Sequence, residues 1–334
     1  MLNWGIIGCG DVVQRLVQNS LQVKNKSKII NVMSKDISLA KKFVQKYNIN
    51  NFTDNADEII EDPNINCIYI ACPPYKHFEY IKKSSINKKQ ILCEKPLVIN
   101  NKELNELIKL SNKNKTTLFT TYYRRFLRRY LTVRKLINEN TIGKIIFFKI
   151  NYFHSPKSHP TAPLLNYNKK NLPWRFIHKF SGGGNLIDMG THSIDMIDFL
   201  LGEIVDIQSY PRNFANLYDV EDTVLINFEL KNSILGQGLW SSVSNQDEDS
   251  FEIFGTKGKI KFSMSSSDEI IIKKDNNIKR LVIPFEKPYH KPMLNHVINL
   301  FHHNLSTRRF TLSEHAFRTT RIQIKAIKEF YKKK

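Results

Sequence analysis

The first 120 residues alternate between two periodicities, and that alternation limits the possible folds more than any other feature of the chain. Short apolar runs occur at 2–7, 28–33, 67–72, 90–93 and 117–120. Stretches with helical spacing separate them, at 11–23, 38–47, 56–61, 77–86 and 102–114. The apolar runs do not alternate with polar residues, so both faces of each strand must be covered. Strands of this kind interleaved with helices imply a parallel sheet with helices on both sides.

After about residue 140 the pattern changes. A helical segment over 184–201 is closed by Gly202. Strand-like runs follow at roughly 204–211, 220–229, 233–241, 250–255, 258–263, 268–274 and 279–284, and helical stretches at 292–303 and 312–331 end the chain. Short connections between successive strands favour antiparallel pairing. With 334 residues, two domains are expected, 1–121 and 122–334. The fold class is therefore α/β, a parallel Rossmann sheet followed by an α/β domain with an open, mostly antiparallel mixed sheet.

Composition excludes several alternatives. No apolar run approaches the roughly 18 residues of a membrane helix. The first residues, Met1 to Ile7, enter a strand pattern directly, without a basic and apolar leader. Cys9, Cys67, Cys72 and Cys93 lie in or beside buried-type runs and lack zinc-type spacing, which reads as thiols in a reducing compartment. A cytoplasmic protein is expected. The net charge is +20, but the lysines are scattered and not interleaved with aromatics, so neither a nucleic-acid nor a membrane partner is expected. The denser cluster is Arg124, Arg125, Arg128, Arg129 and Arg134. On a helix, Arg124/Arg128 and Arg125/Arg129 would form a basic stripe, suited to an anionic part of a substrate or to pairing with acidic residues.

Three motifs carry chemistry. Gly8-Cys9-Gly10-Asp11-Val12-Val13 follows the first strand and opens a helix, the place where a pyrophosphate is cradled. Gly8, Gly10, Asp11 and Val12 are its candidate cofactor residues. Val13, where glycine or alanine is usual, predicts looser strand–helix packing. Ser34 and Lys35 end the second strand; a hydroxyl followed by a cation favours NADP over NAD, while Asp36 is read as the cap of the next helix. Cys93-Glu94-Lys95-Pro96 ends a strand at the carboxyl edge, where Lys95 is placed to stabilise a developing alkoxide. Finally, the run from Gly182 to Asp195 places Asp188, His192 and Asp195 at spacings of four and three, on one helix face. His192 suits proton transfer, and Asp195 or Asp188 could orient its ring. A metal is the competing reading; without a further ligand cluster none is expected.

Taken in order, these segments resemble the glucose–fructose oxidoreductase, inositol dehydrogenase and rhizopine-catabolism family (Gfo/Idh/MocA). Ala71-Cys72-Pro73-Pro74-Tyr75-Lys76-His77, Glu94-Lys95-Pro96, Tyr122 to Phe126, Gly182 to Asp195 and Phe251 to Gly258 resemble successive family motifs, with Pro74 and Tyr123 as departures. The resemblance implies bound NAD or NADP and a sugar, cyclitol or nucleotide-sugar substrate oxidised or reduced at a secondary alcohol or ketone. It implies association through the open sheet, as a homodimer or homotetramer. It places Lys95, Asp188 and His192 in the catalytic positions, Cys72, Pro73, Pro74, His77 and Glu94 beside the cofactor, and Tyr123 and Arg125 with Lys95, Asp188 and His192 around the substrate. Alternatives within the architecture are a redox-neutral, NAD-retaining sugar-modifying enzyme and a non-catalytic NAD(P) sensor.

Overall fold

The computed structural model describes residues 1–18, 21–114, 117–156, 172–307 and 314–332. The first unit comprises residues 1–123 and 287–317. Its strands are β1 (Leu2–Ile7), β2 (Ser27–Met33), β3 (Asn51–Thr53), β4 (Cys67–Ile70), β5 (Gln90–Cys93) and β6 (Leu118–Thr120). They pair in the order β3-β2-β1-β4-β5-β6 and are parallel throughout. Helices α1 (Asp11–Gln18), α2 (Ile37–Tyr47), α3 (Ala56–Ile60), α4 (His77–Ile86) and α5 (Asn101–Asn114) connect them. The strand order runs outward in both directions from β1 and β4. Right-handed crossovers therefore put the connecting helices on opposite faces. The strands are buried as their apolar runs require: every residue of β4, β5 and β6 is buried.

The carboxyl edge of this sheet is laced by one backbone bond between each pair of neighbouring strands. Gly8 N–H donates to Met33, Ser34 to Thr53, Ala71 to Ile7, Glu94 to Ile70 and Thr121 to Cys93, at 2.9–3.1 Å. Those bonds line up the loops that carry the sequence motifs. Gly8 has φ +111°, and a Cβ there would lie 2.6 Å from the Ala71 carbonyl oxygen. Any side chain would drive the β1 and β4 loops apart. Val13 is fully buried, so this position is filled by a core side chain. Asp36 caps α2, accepting the Ser38 N–H at 3.0 Å.

A single cut at residue 121 assigns everything after it to the second domain, but the chain returns to the first unit with α9 (Lys291–Thr307). Phe301 stacks on Trp4 of β1 at 5.7 Å, its carbonyl accepts the Gln90 side chain at 2.8 Å, and Asn304 donates to Thr117 at 3.2 Å. An apolar helix face does not announce which sheet it will cover, so the pattern alone misses this return.

The second unit comprises residues 124–286 and 318–334. Its sheet contains β7 (Ile145–Phe153), β8 (Ile204–Arg212), β9 (Thr223–Leu230), β10 (Leu235–Ser241), β11 (Glu248–Gly255), β12 (Gly258–Phe262), β13 (Glu269–Lys274) and β14 (Asn277–Val282). The order is β14-β13-β12-β11-β7-β10-β9-β8, with β7–β10 parallel and the other pairs antiparallel. One face is buried, including Phe148, Ile150, Tyr152, Ile226, Phe228, Trp240, Phe251 and Ile253. The other face is partly open, with Phe147 and Phe254 stacked at 4.3 Å beside exposed Leu235. Helices α6 (Arg128–Asn138), α7 (His178–Ser181), α8 (Thr191–Leu201) and α10 (Glu314–Lys332) complete the described elements. Among the described residues, no helix is long and apolar enough to cross a membrane.

Phe301→Ala should destabilise the protein by about 3–5 kcal/mol, because it empties a filled site against Trp4. Urea unfolding of the full chain measures this. A loss below about 1 kcal/mol would mean that α9 contributes little to the first unit.

Candidate functional site

In the first unit the candidate residues gather on the carboxyl edge. Gly10 has no atom within 4 Å of where a Cβ would stand, so the start of α1 leaves open room above its N–H groups. Asp11 and Val12 form the first turn of that helix. Ser34 is buried at the end of β2, and Lys35 reaches the Asp54 carbonyl at 3.3 Å. These residues fit a dinucleotide: an exposed helix start for a pyrophosphate and a hydroxyl–cation pair one strand away.

Between β4 and α4, a turn at Pro74–Lys76 leads to His77. This histidine is fully buried, with Nδ1 2.8 Å from the Pro96 carbonyl and Nε2 2.9 Å from the Cys72 carbonyl. Burial lowers its pKa, opposed by those backbone carbonyls. A neutral imidazole carries one N–H, so only one of the two contacts is a donated bond in that form. Both nitrogens thus face main chain, and His77 joins the Cys72 and Pro96 loops from behind; it has no ring nitrogen left for a cofactor. Glu94 accepts the Tyr69 hydroxyl at 2.7 Å, and burial raises its pKa against that bond and one from Thr121. Lys95 follows directly and is joined to Pro96 by a cis peptide bond. Tyr123 packs against His290 at 4.3 Å. The thiols are core groups: burial pushes Cys9 and Cys72 up to about 12, and Cys67 and Cys93 upward as well.

In the second unit the expected single helix over 184–201 is two pieces. Leu186–Gly190 forms a π turn that continues into α8. Single π turns re-aim side chains and are frequent at functional sites. Asp188 lies in the π turn and His192 at the start of α8. Asp188 lines a cleft with Arg175, Asn185, Tyr218, Glu221 and Ser242, and Arg175 stands 3.7 Å from its carboxylate. Sequence reasoning missed Arg175, Asn185, Glu221 and Ser242. The available signal was Glu221-Asp222, two acids inside an otherwise strand-like run. Glu221 is fully buried, and burial raises its pKa to about 7 against the donors that face it. Asp222 accepts the N–H groups of Phe214 and Ala215 at 2.9 and 2.8 Å.

Asp195 does not share that outlook. Its carboxylate takes bonds from Arg125 Nε at 2.8 and 3.0 Å and from Arg125 Nη2 at 2.8 Å. Asp198 joins the network, accepting from Arg125 at 2.9 Å and from Arg318 at 2.6 and 3.0 Å. Burial raises the Asp195 pKa, with Arg125 opposing. Burial also opposes ionisation of Asp198, but its bonds to Arg318 and Arg125 hold its pKa down. Asp195 is therefore committed to Arg125 and is not placed to orient His192. Arg125, expected at the substrate, commits its Nε and Nη2 to the helix that carries His192.

The basic stripe is corrected in the same way. Arg124 and Arg125 lie in a 3-10 turn at Tyr123–Phe126, and α6 begins only at Arg128. Arg124 is buried and donates to the Met264 carbonyl and, at 3.1 Å, to the Tyr130 hydroxyl. Arg129 is buried, donates to the Ser263 and Glu269 carbonyls at 3.1 and 3.3 Å, and lies over the Phe285 ring. Arg134 covers Phe199. Three of the five arginines thus cross-link this unit internally. Among the described residues, no group of three or more acidic, histidine or cysteine side chains could hold a metal.

Arg125→Leu should cost about 3–5 kcal/mol, because it strands a buried carboxylate at Asp195. The double variant Arg125→Leu/Asp195→Leu should recover part of that loss. Chemical denaturation of both variants measures the coupling; equal losses would remove the pair from the account.

Comparison with known proteins identifies both domains. Residues 2–122 match the model described as "Oxidoreductase family, NAD-binding Rossmann fold", and residues 130–261 match the "GFO/IDH/MocA C-terminal domain". An oxidoreductase of Formosa agariphila is 31% identical over 304 residues, covering 90% of this chain and 91% of that protein. In fold, the chain is similar to a levoglucosan dehydrogenase in complex with NADH and levoglucosan, at TM-score 0.82 and 21% identity, covering 100% of this chain and 98% of that one. It is also similar in fold to a mutant 3-ketoreductase from Actinomadura kijaniata in complex with TDP-benzene and NADP, at TM-score 0.80 and 17% identity, covering 98% and 97%. The chain belongs to the Gfo/Idh/MocA family of oxidoreductases, with its NAD-binding Rossmann domain and its C-terminal domain.

Proposed function

We propose that this protein is an NAD(P)-dependent oxidoreductase that interconverts a secondary alcohol and a ketone on a neutral sugar or cyclitol. The observation that carries the reading is the family match of both domains, over residues 2–122 and 130–261, with Asp188 of the second domain partly exposed beside Arg175. A carboxylate there accepts the hydroxyls of a polyol. Of the arginines that made an anion attractive, Arg124, Arg125 and Arg129 are bonded internally, which favours a neutral substrate over a nucleotide-sugar. Levoglucosan in the dehydrogenase of similar fold is a substrate of that chemical kind.

The open N–H groups at the start of α1, behind Gly8 and Gly10, receive the pyrophosphate. Ser34 and Lys35 would hold the adenosine ribose, and a hydroxyl with a cation would favour its 2′-phosphate, hence NADP over NAD. Cys72, Pro73, Pro74 and Glu94 shape the nicotinamide end of the site, with His77 holding their loops together. When bound, the nicotinamide accepts or returns the hydride. His192 takes the hydroxyl proton during oxidation. The Lys95 ammonium favours the alkoxide that develops as the proton leaves. Asp188, with Arg175 3.7 Å from its carboxylate, binds a neighbouring hydroxyl, and Tyr123 borders the substrate. The open face carrying Phe147, Leu235 and Phe254 serves association with further copies of the chain, as a homodimer or homotetramer.

Lys95→Ala and His192→Ala should each lower kcat by about 100-fold or more with folding preserved. This is read from NAD(P)H absorbance during oxidation of myo-inositol, D-glucose and levoglucosan; an unchanged kcat in either variant would remove that residue's role. Lys35→Ala should raise KM for NADPH several-fold and leave KM for NADH nearly unchanged. An equal rise for both nucleotides would contradict the 2′-phosphate assignment.

A further inference from the structure

The polypeptide behind Asp188 is held by a residue that takes no part in the chemistry described so far. Glu221 is fully buried just before β9. Its Oε1 accepts the Gly184 N–H at 2.8 Å, and its Oε2 accepts the Tyr331 hydroxyl at 2.7 Å. The Leu186 N–H faces the same carboxyl. Its main chain repeats the tie, because the Asn185 N–H donates to the Glu221 carbonyl at 3.0 Å. The first N–H groups of a helical segment have no partner within the segment and must find one outside it. Here a single residue satisfies three in succession, and a carboxylate is the favoured charge at that end.

The glycine run is explained by the same approach. A Cβ on Gly184 would stand 2.0 Å from the Glu221 carbonyl oxygen, so only glycine lets the strand and the turn come this close. The connection to Asp188 is short: its own N–H bonds the Gly184 carbonyl at 3.0 Å, as does that of Ile187 at 3.1 Å. On the far side, Tyr331 belongs to the last turn of α10, and its ring stacks on His178 at 3.6 Å. One carboxyl therefore joins the final helix to the start of the turn that aims Asp188 and then His192.

We propose that Glu221 is a positioning residue for Asp188 and His192, and that Tyr331 is the latch by which the C-terminal helix holds it in place. This rests on the reading of Asp188 and His192 as substrate residues. The two oxygens of Glu221 are divided between the glycine run and α10, so losing the Tyr331 bond frees the carboxyl to rotate and slackens the Gly184 tie. Displacement of a substrate-aiming segment by a fraction of an ångström lowers turnover without touching nucleotide binding.

The test uses Tyr331→Phe, Glu221→Leu and Glu221→Gln in the full chain. Tyr331→Phe keeps the ring on His178 and removes only the hydroxyl. Two readouts are taken. The first is kcat with the best of myo-inositol, D-glucose and levoglucosan, alongside Kd for NADPH by calorimetry. The second is the His192 ring signal in 13C-histidine-labelled protein, assigned with His192→Gln and needing no turnover. The expected result is a kcat lower by about tenfold or more in Tyr331→Phe and Glu221→Leu, an unchanged NADPH Kd, and a shifted His192 signal. Glu221→Gln should stay within about threefold of the parent, since its amide oxygen still accepts the Gly184 N–H. Parental kcat and an unmoved His192 signal in Tyr331→Phe would overturn the proposal, whether or not Glu221→Leu folds. A moved His192 signal in a protein that oxidises none of the three alcohols would sustain the positioning role and overturn the functional reading instead.

Discussion

The first unit depends on a place where no side chain fits. At Gly8 the chain leaves β1 with a left-handed φ and passes against the Ala71 main chain leaving β4. β1 and β4 are the pair at which the strand order reverses, so the loops after them diverge over opposite faces of the sheet. The crevice between diverging loops is where a ligand finds main-chain donors from more than one direction. The close approach at Gly8 keeps that crevice narrow and aligned. The backbone bonds from Ser34, Glu94 and Thr121 then place the remaining loops in the same row.

The second unit solves a different problem. Its candidate reactive residues lie on a helical segment that is buried on most of its surface, and that segment is fixed by ionisable groups in the interior. Arg125 and Arg318 bridge to Asp195 and Asp198 near the middle of α8, while Glu221 holds the start of the π turn. Buried charges are a poor source of net stability, because desolvation offsets most of the attraction. Their effect here is directional: each bond has a fixed length and angle, and apolar packing of the same volume would not specify the rotation of α8 so tightly. The high positive charge of the chain is partly drawn into this internal work, through Arg124, Arg125 and Arg129.

The sheet of the first unit was legible because non-alternating apolar runs between helical periods admit few arrangements, and because Gly8 and Gly10 sit where a strand turns into a helix. The mostly antiparallel second sheet was legible for a similar reason, from short turns between successive strands. What escaped was long-range pairing. Arg125 and Asp195 are 70 positions apart and Glu221 and Tyr331 110 apart, and nothing local marks them as partners. Helical spacing grouped Asp195 with Asp188 and His192, whereas tertiary pairing with Arg125 decided its direction. The same spacing drew Arg124, Arg125, Arg128 and Arg129 as one stripe, which the 3-10 turn before α6 breaks. The return of α9 to the first sheet is a further case, since its apolar face fits either unit by composition.

The account stands or falls on the crevice at Gly8 being a nicotinamide-nucleotide site. The direct measurement is calorimetric titration of the purified protein with NADH and NADPH, together with mass identification of any nucleotide released on denaturation. Saturable binding of one NADH or NADPH per chain is the result predicted. Absence of binding by both, with no nucleotide carried through purification, would contradict it.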